Sequence, residues 1–362
     1  MFAVLVRIAI RKLFAYVKFF GRRKSVFLVP PLLLSVLVLW PTCWWFAVQS
    51  SKALLPLPPP DQSLDHFRRN RSLQHYISHI EVLVEPSSVP CGSLDEVPVI
   101  VLVTSSPLRF DQRQAVRETW AKYQPTYFVM GLYGERVDEQ LVDNYIEAKQ
   151  YSDLIVFDFH DHYQNLTLKT ALMMKWTLDR CPQAQFLLKT DDDVMVNPWT
   201  LRKVLKENED AQLVGYLKNN TRLHRDEYNK WYIPRWLLRQ DVVSQYLSGT
   251  GYLISGDCIQ IILRKANEVP LVNLEDIYFT FLVAHQELGY TLTHDSRLSP
   301  YKPWLKMACA YWDLSSVHSL GFQEMVTAWS KIESLAVGLN GTNNVCRLFN
   351  SIFGSLSDML LF

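Results

Sequence analysis

The feature that most constrains the fold is a regular alternation of short apolar runs with amphipathic segments, which begins at residue 97. The apolar runs are rich in β-branched side chains, as is typical of strands buried on both faces. The predicted strands cover 97–104, 126–131, 153–159 and 185–190, and the predicted helices cover 110–122, 135–150 and 164–179. This alternation predicts an α/β fold in which a mainly parallel sheet carries helices on both faces.

A run without any charged residue, 25–51, precedes this region. At about 1.5 Å per helical residue it can cross a hydrocarbon core about 30 Å thick, so we predict one transmembrane signal-anchor helix. Residues 1–24 carry seven basic side chains and no acid, and the positive-inside rule therefore places this tail in the cytoplasm. The rest of the chain would then be lumenal, as in a single-pass type II membrane protein.

Composition divides the chain after the predicted span into three parts. Residues 52–96 include a proline-rich spacer and are predicted to form a stem. Residues 97–335 form the main lumenal domain, and residues 336–362 form a C-terminal tail. Outside the basic tail, 30 basic residues stand against 36 acidic ones. This balance argues against nucleic-acid binding, which needs concentrated positive charge.

Cysteines and glycosylation motifs are consistent with a lumenal domain. The cysteines beyond the span are Cys91, Cys181, Cys258, Cys309 and Cys346. They form no CxxC pair, which disfavours a zinc site, and in an oxidising compartment they predict two disulfides and one free thiol with the pairing open. N-glycosylation motifs begin at Asn70, Asn165, Asn219 and Asn340.

The sharpest local feature is the acidic run Asp191-Asp192-Asp193 at the end of a predicted strand. Adjacent carboxylates repel one another unless a cation neutralises them. Oxygen ligands at a strand end suit Mg²⁺ or Mn²⁺, which can in turn bridge a diphosphate. The alternative is a solvated acidic turn before a helix at Pro198. A nucleotide hydrolase is excluded because the chain has no GxxxxGK[ST] phosphate loop.

Six motifs together resemble those of one enzyme family. They are RQAVRETW (113–120), YFVMG (127–131), DHYQNLTLKT (161–170), KTDDDVMVN (189–197), YLSGTGYLIS (246–255) and LEDIYFTFLVAHQELG (274–289). Their types and order resemble the β-1,3-glycosyltransferases of glycosyltransferase family 31, from about residue 97 to 329. The resemblance implies a GT-A catalytic domain, which is an α/β/α sandwich, over 97–335. It also implies Mn²⁺ or another divalent cation, a UDP-sugar donor, a glycan acceptor on glycoprotein or glycolipid, and a Golgi membrane location.

The resemblance also implies roles for particular residues. Asp193, Asp191 and His318 would bind the metal, and Asp276 would be the general base of an inverting transfer. This role fits the chemistry, because the acceptor hydroxyl loses its proton as it attacks the anomeric carbon. The alternative for Asp276 is that it only caps a helix over 276–288.

Substrate binding would use further residues of the same motifs. The residues assigned to it are Arg113, Arg117, Lys169, Asp191, Asp192, Gly249, Gly251 and Glu275. Guanidinium groups suit phosphate oxygens, but both arginines could equally lie on a helix surface. Lys169 could likewise be an ordinary solvated lysine, whereas Trp120 is expected in the core.

Two further expectations follow from the motifs. The two glycines would permit a tight turn with close backbone approach to the sugar, or else form a plain hairpin turn. Asn165 falls inside a family motif and would be structural and unglycosylated.

The resulting hypothesis is transfer of galactose from UDP-galactose. N-acetylglucosamine and N-acetylgalactosamine are alternative sugars, and a catalytically inactive sugar-binding homologue is the alternative from another class. The family's glycine after E-D-V-Y is absent here, since Phe279-Thr280 follow Tyr278. That departure leaves the acceptor open.

Overall fold

The structure is a computed structural model that describes residues 39–45, 64–92, 97–134, 137–303, 306–337 and 346. The chain divides into two compact units, Met1–Asp61 and Gln62–Phe362. In the first unit only an exposed helical segment, 39–45, is described. The predicted cytoplasmic tail and most of the predicted span lie outside the described residues. Within the described part of the chain, no helix combines the length and apolar character needed to cross a membrane.

The second unit is built on an eight-stranded sheet. Its strands are β1 (Val82–Val84), β2 (Ile100–Thr104), β3 (Thr126–Leu132), β4 (Leu154–His160), β5 (Phe186–Asp191), β7 (Leu213–Arg222), β8 (Val242–Ser255) and β9 (Leu292–His294). They lie in the order β1-β4-β3-β2-β5-β8-β7-β9. A small second sheet has the order β10-β11-β6, with β6 at Met195–Val196, β10 at Leu298–Ser299 and β11 at Ser316–Val317.

The main sheet is mixed. Its four central strands, β4, β3, β2 and β5, are mutually parallel, as the strand–helix alternation predicts. Beyond them, β8 pairs antiparallel with both β5 and β7, and β1 pairs antiparallel with β4. The α/β class is therefore confirmed. Among the described strands β7 and β9 also pair parallel, so antiparallel pairing in this sheet is confined to the contacts of β8 and β1.

Nine α-helices of the described residues surround the sheets. They are α1 (Asp65–Arg69), α2 (Leu73–Ile77), α3 (Phe110–Glu118), α4 (Val137–Tyr151), α5 (Leu166–Arg180), α6 (Pro198–Glu207), α7 (Gly256–Ala266), α8 (Ala308–Trp312) and α9 (Phe322–Val337). A π-helix, Ile277–Glu287, replaces the ordinary helix expected over 276–288. The expected helix at Pro198 is present, and the side chain of Asn197 caps it by accepting from the Thr200 amide.

Both faces of the sheet are covered. The five residues of β2 are all buried, and alternate side chains enter two separate cores. Ile100 and Leu102 pack with α5, α7 and the π-helix, whereas Val101 and Val103 pack with α3, α6 and α9. This double burial explains the uninterrupted apolar runs of the sequence, and Trp120 is buried in the second core as expected.

Residues 64–92, which we expected in the stem, fold with the second unit. Leu64, Phe67 and Leu73 are completely buried in its core. Strand β1 adds to the sheet edge, and the disulfide Cys91–Cys181 joins the segment to the end of α5. The unit accordingly begins at Gln62, well before residue 97.

A second disulfide, Cys309–Cys346, joins α8 to the C-terminal region, while Cys258 is free and buried. The prediction of two disulfides and one free thiol among the five later cysteines is therefore confirmed. Apart from Cys346, residues 338–362 lie outside the described residues.

Candidate active site at the carboxyl edge of the sheet

The acidic run follows the carboxyl end of β5, and a distant histidine lies beside it. The small sheet brings this histidine, His318, to the acidic run, because β11 pairs antiparallel with β6, the strand that follows the run. The Leu320 amide also donates to the Asp193 carbonyl at 2.9 Å. As a result, ligand atoms of Asp191, Asp193 and His318 all lie within 4.8 Å of one another. We call these three residues the acidic group.

The acidic group is open to solvent and chemically suited to a cation. Its side chains are 31%, 30% and 23% exposed for Asp191, Asp193 and His318 respectively. Burial raises the pKa of Asp193, the charge of Asp191 raises it further, and His318 acts in the opposite sense. Two carboxylates and an imidazole form a donor set that suits a divalent cation such as Mn²⁺. A cation would also relieve the repulsion between the carboxylates.

Asp192, in contrast, is only 3% exposed. Its carboxylate accepts from the Ser105 hydroxyl at 2.8 Å and forms an ion pair with Arg109, whose Nη2 lies 2.6 Å away. The hydrogen bond with Asp192 raises the pKa of Arg109. Asp192 thus fixes the loop after β2, and its contact with substrate stays a prediction.

Arg113 and Arg117 lie on the inner face of α3, so the alternative of a surface position is wrong. Arg113 is 1% exposed, and its Nε and Nη2 donate to Glu147 at 2.7 and 2.6 Å. Arg117 donates to Glu147 at 2.6 Å and to Asp153 at 2.7 Å. We call these four residues the arginine cluster. Burial opposes the charge of Arg117, but its two carboxylate partners outweigh it and raise the pKa.

The arginine cluster reaches the acidic run only indirectly. Arg113 Nη1 donates to the hydroxyl of Ser105 at 3.1 Å, and that hydroxyl donates to Asp192. The described contacts therefore give Arg113 a role in positioning the loop after β2. Direct nucleotide contact by either arginine stays a prediction.

Lys169 is buried, so the alternative of a solvated lysine is wrong as well. Its Nζ lies 2.7 Å from Asp161 and donates to the Ser105 carbonyl at 2.5 Å. Asp161 also accepts from the Gly131 amide at 2.8 Å. The motif 161–170 thereby joins the ends of three neighbouring strands. Within it Asn165 is buried and donates to the His160 carbonyl at 2.9 Å, which fits its expected structural role.

The pair Glu275-Asp276 lies just before the π-helix. Glu275 is buried, with Lys189 Nζ 3.0 Å from one carboxylate oxygen and the Tyr252 hydroxyl 2.5 Å from the other. Burial raises the pKa of Glu275 to about 7, against the opposing effect of Lys189. Since its contacts are internal, substrate binding by Glu275 stays a prediction.

Asp276 is partly exposed and caps the π-helix. Its carboxylate accepts from the amides of Ile277 at 2.8 Å and Gly249 at 3.2 Å. Burial raises the pKa of Asp276, although these amides and Lys189 favour the ionised form. The capping role is therefore present, and it leaves the carboxylate oriented by two backbone donors. A base role is compatible with this geometry.

The two glycines lie inside β8, so the expectation of a turn is wrong for both. Neither has a left-handed backbone. A Cβ on Gly249 would lie 2.8 Å from Glu275 Oε1 and 3.1 Å from Asp276 Oδ2, whereas one on Gly251 would make only an ordinary 3.4 Å contact with Thr190. Glycine at position 249 therefore lets the acidic pair approach the strand.

Several residues that build this site were not identified from the sequence. They are Thr104, Ser105, Arg109, Lys189 and Tyr252. Lys189 had a usable signal, since it lies two residues before Asp191 and strand side chains alternate between faces. Arg109 had none, because its contact depends on the course of a loop.

A cavity of about 760 Å³ lies along α1, α2 and the end of β4. Five histidines line it, namely His66, His75, His79, His160 and His162. None of the acidic group takes part in its lining. We therefore identify the candidate active site from the chemistry of its side chains and not from the position of this cavity.

Comparison with known proteins agrees with this site. The galactosyltransferase family model matches residues 111–292, half of the chain. The match spans the acidic run and the Glu275-Asp276 pair, and the chain belongs to this family. It is a hexosyltransferase of the kind that uses a nucleotide-sugar donor and a glycan acceptor.

Individual relatives include human beta-1,3-galactosyltransferase 1, which is 34% identical over 250 residues, or 65% of this chain and 74% of the relative. Mouse beta-1,3-galactosyltransferase 5 is 29% identical over 246 residues, which cover 65% and 79% of the two chains. A solved glycosyltransferase involved in glycosylation of the major capsid of PBCV-1 aligns with a TM-score of 0.35 and 13% identity. That alignment covers 64% of this chain and 98% of the solved one.

Proposed function

We propose that this chain is an inverting β-1,3-galactosyltransferase that moves galactose from UDP-galactose to a hydroxyl of a glycan on glycoprotein or glycolipid. The observation that carries the proposal is the pairing of the acidic group with Asp276 at one edge of the sheet. Lys189 bridges the two, since its Nζ lies 2.9 Å from Asp191 and 3.0 Å from the neighbouring Glu275.

The acidic group would hold the divalent cation, which when bound neutralises the negative charge of the leaving diphosphate. The partial exposure of all three side chains permits this contact with a donor. Mn²⁺ is our choice, because imidazole and carboxylate together suit it.

Asp276 would act on the acceptor. Its carboxylate is held by the Ile277 and Gly249 amides and remains partly exposed, so an acceptor hydroxyl can reach it. The base would take the proton of that hydroxyl as the oxygen attacks the anomeric carbon. The attack comes from the side opposite the diphosphate, so the configuration inverts and no covalent intermediate is needed.

We also propose a Golgi membrane location, with the second unit lumenal and residues 25–51 as the anchor. The two disulfides support this proposal, because such bonds persist in oxidising compartments. Protease protection of the second unit in intact microsomes, with release of that protection by detergent, would be the expected result.

The function is tested by a donor screen on the purified full-length chain in detergent. UDP release would be measured from UDP-galactose, UDP-N-acetylglucosamine and UDP-N-acetylgalactosamine, with Mn²⁺ and with EDTA, in the presence of mixed glycan acceptors. Mn²⁺-dependent release from UDP-galactose alone would support the proposal. Release from one of the other donors would reassign the sugar, and binding of UDP without any release would favour an inactive sugar-binding homologue.

A further inference from the structure

A single buried ammonium group lies where three segments of the site meet. Lys189 is 2% exposed. Its Nζ lies 2.9 Å from Asp191 Oδ1, 3.0 Å from Glu275 Oε1 and 2.5 Å from the Gly249 carbonyl. An ammonium group has three N–H donors, so these contacts use all of them. The acceptors come from the end of β5, from β8 and from the helical residues just before the π-helix.

The strand register explains this convergence. Lys189 and Asp191 are two residues apart on β5 and therefore share a face of the sheet. Tyr252 on β8 pairs directly with Lys189, and its hydroxyl donates to Glu275 at 2.5 Å. Lys189 and its strand partner Tyr252 thus contact the two oxygens of the Glu275 carboxylate. The Asp191 oxygen that contacts Lys189 also accepts from the Thr104 hydroxyl.

Two links lead from Lys189 to Asp276. The first passes through Glu275, which forms an ion pair with Lys189 and precedes Asp276 in the chain. The second passes through Gly249, whose carbonyl accepts from Lys189 and whose amide donates to Asp276 at 3.2 Å. The missing side chain at Gly249 is what allows this close approach, since a Cβ would come within 2.8 Å of Glu275.

We propose that Lys189 is a positioning residue that fixes the separation between the Asp191 carboxylate and the Asp276 carboxylate. The inference rests on the proposed function, in which Asp191 belongs to the donor side and Asp276 to the acceptor side. Lys189 is too deeply buried to touch either substrate. Its effect is to hold the two halves of the site in register, so that the base faces the anomeric carbon of a bound donor.

The test uses Lys189→Met/Glu275→Gln in the full-length chain. The single change Lys189→Met would leave two carboxylates without their buried partner, whereas the double change removes one charge of each sign. We expect wild-type thermal stability and wild-type affinity for UDP with Mn²⁺, because Thr104 still holds Asp191. The kcat should fall about a hundredfold, the effect of a misplacement of about 1 Å.

A second measurement reports the position of Asp276 without any activity. The Gly249 and Ile277 amides both donate to Asp276, so their hydrogen exchange should accelerate in the double variant. Lys175→Met, on an exposed position of α5, is the matched control and should change neither kcat nor exchange. Wild-type kcat in the double variant, or a loss of kcat with unchanged exchange, would overturn the proposal.

A second variant tests the close approach of Gly249 to Glu275 and Asp276 without changing Lys189. Gly249→Ala places a methyl group against Glu275 and Asp276 and leaves Lys189 in place, and it should show the same loss of kcat and faster Ile277 exchange. Gly321→Ala is its control, because a Cβ there meets nothing within 4 Å. Wild-type behaviour of Gly249→Ala would overturn the proposal. A wild type that turns over no donor would instead contradict the proposed function, and the exchange data would still decide the role of Lys189.

Discussion

The acidic group and the arginine cluster are both dense in charge, yet they are built in opposite ways. In the arginine cluster each guanidinium is matched to carboxylates at 2.6–2.7 Å, and Arg113 and Glu147 are almost fully buried. In the acidic group Lys189 lies 2.9 Å from Asp191 on the buried side, whereas the closest approach of His318 to Asp193 is 3.6 Å and two carboxylates remain close together. Paired burial indicates that a charge cluster orders the fold. Like charges left close together at an open edge indicate that a ligand supplies the missing charge.

The largest effect is expected for Asp193→Ala in the acidic group, which should lower activity without lowering stability. Asp193→Ala should lower kcat about a thousandfold, because it would remove a ligand of the proposed cation that stabilises the leaving group. Thermal stability should not fall, because the raised pKa of Asp193 indicates an unfavourable environment for its charge. Steady-state kinetics and thermal unfolding of the same preparation check both statements. A marked loss of stability would place Asp193 with the structural charges instead.

Asp276→Asn tests the base next. The amide side chain can still accept from the Ile277 amide, so the π-helix should remain capped and UDP should bind with wild-type affinity. The kcat should fall by a factor of about 10² to 10⁴, the usual contribution of a general base. Transfer kinetics with calorimetry of UDP binding would measure the two quantities. Unchanged turnover would leave Asp276 with the capping role alone.

The arginine cluster should give the reverse pattern. Arg113→Met leaves the Glu147 carboxylate with one fewer buried partner, and the free energy of unfolding should fall by about 3–5 kcal/mol. UDP affinity per folded molecule should stay near the wild-type value. Arg202→Met, at an exposed position of α6, is the control and should alter neither quantity. A selective loss of UDP affinity at full stability would instead support the nucleotide contact implied by the family motif.

The same contrast explains what the sequence could predict. The central strands, their helices and the acidic run follow from local patterns, because uninterrupted apolar runs and adjacent acids are visible within a few residues. The proximity of His318 to Asp193 came only from the family resemblance, since it depends on a two-residue pairing of β11 with β6. The buried state of Arg113 could not be predicted, because its partner Glu147 comes from another helix, α4.

The errors at Gly249 and in residues 64–92 have a related cause. A glycine pair suggests a turn from local propensity, yet here the missing Cβ at Gly249 accommodates two carboxylates that come from a distant part of the chain. Likewise, the composition of 64–92 does not disclose that Phe67 and Leu73 complete a core built by α5 and the π-helix. Tertiary contacts, which leave no local signal, decided both cases.

Glu275 shares a feature with each of the two regions, because it is buried and paired with Lys189 but has a raised pKa. Its titration should measure how far the interior of the site tolerates charge. Its pKa rises from 4.5 to about 7 on folding, mainly through burial. The folded state therefore binds a proton more tightly than the unfolded state, and the stabilising contribution is present below pH 4.5 and is lost as pH rises to about 7. At about 1.4 kcal/mol per pKa unit the loss is roughly 3 kcal/mol.

Glu275→Gln lacks this titration, so the comparison of wild type with the variant isolates it from all other groups. The free energy of unfolding would be measured by urea denaturation at several values between pH 4.5 and pH 8. The wild-type value minus the variant value should decrease across that range and level off above pH 7. A constant difference would mean that Lys189 and Tyr252 keep Glu275 ionised throughout, and the site would then resemble the fully paired arginine cluster more than the acidic group.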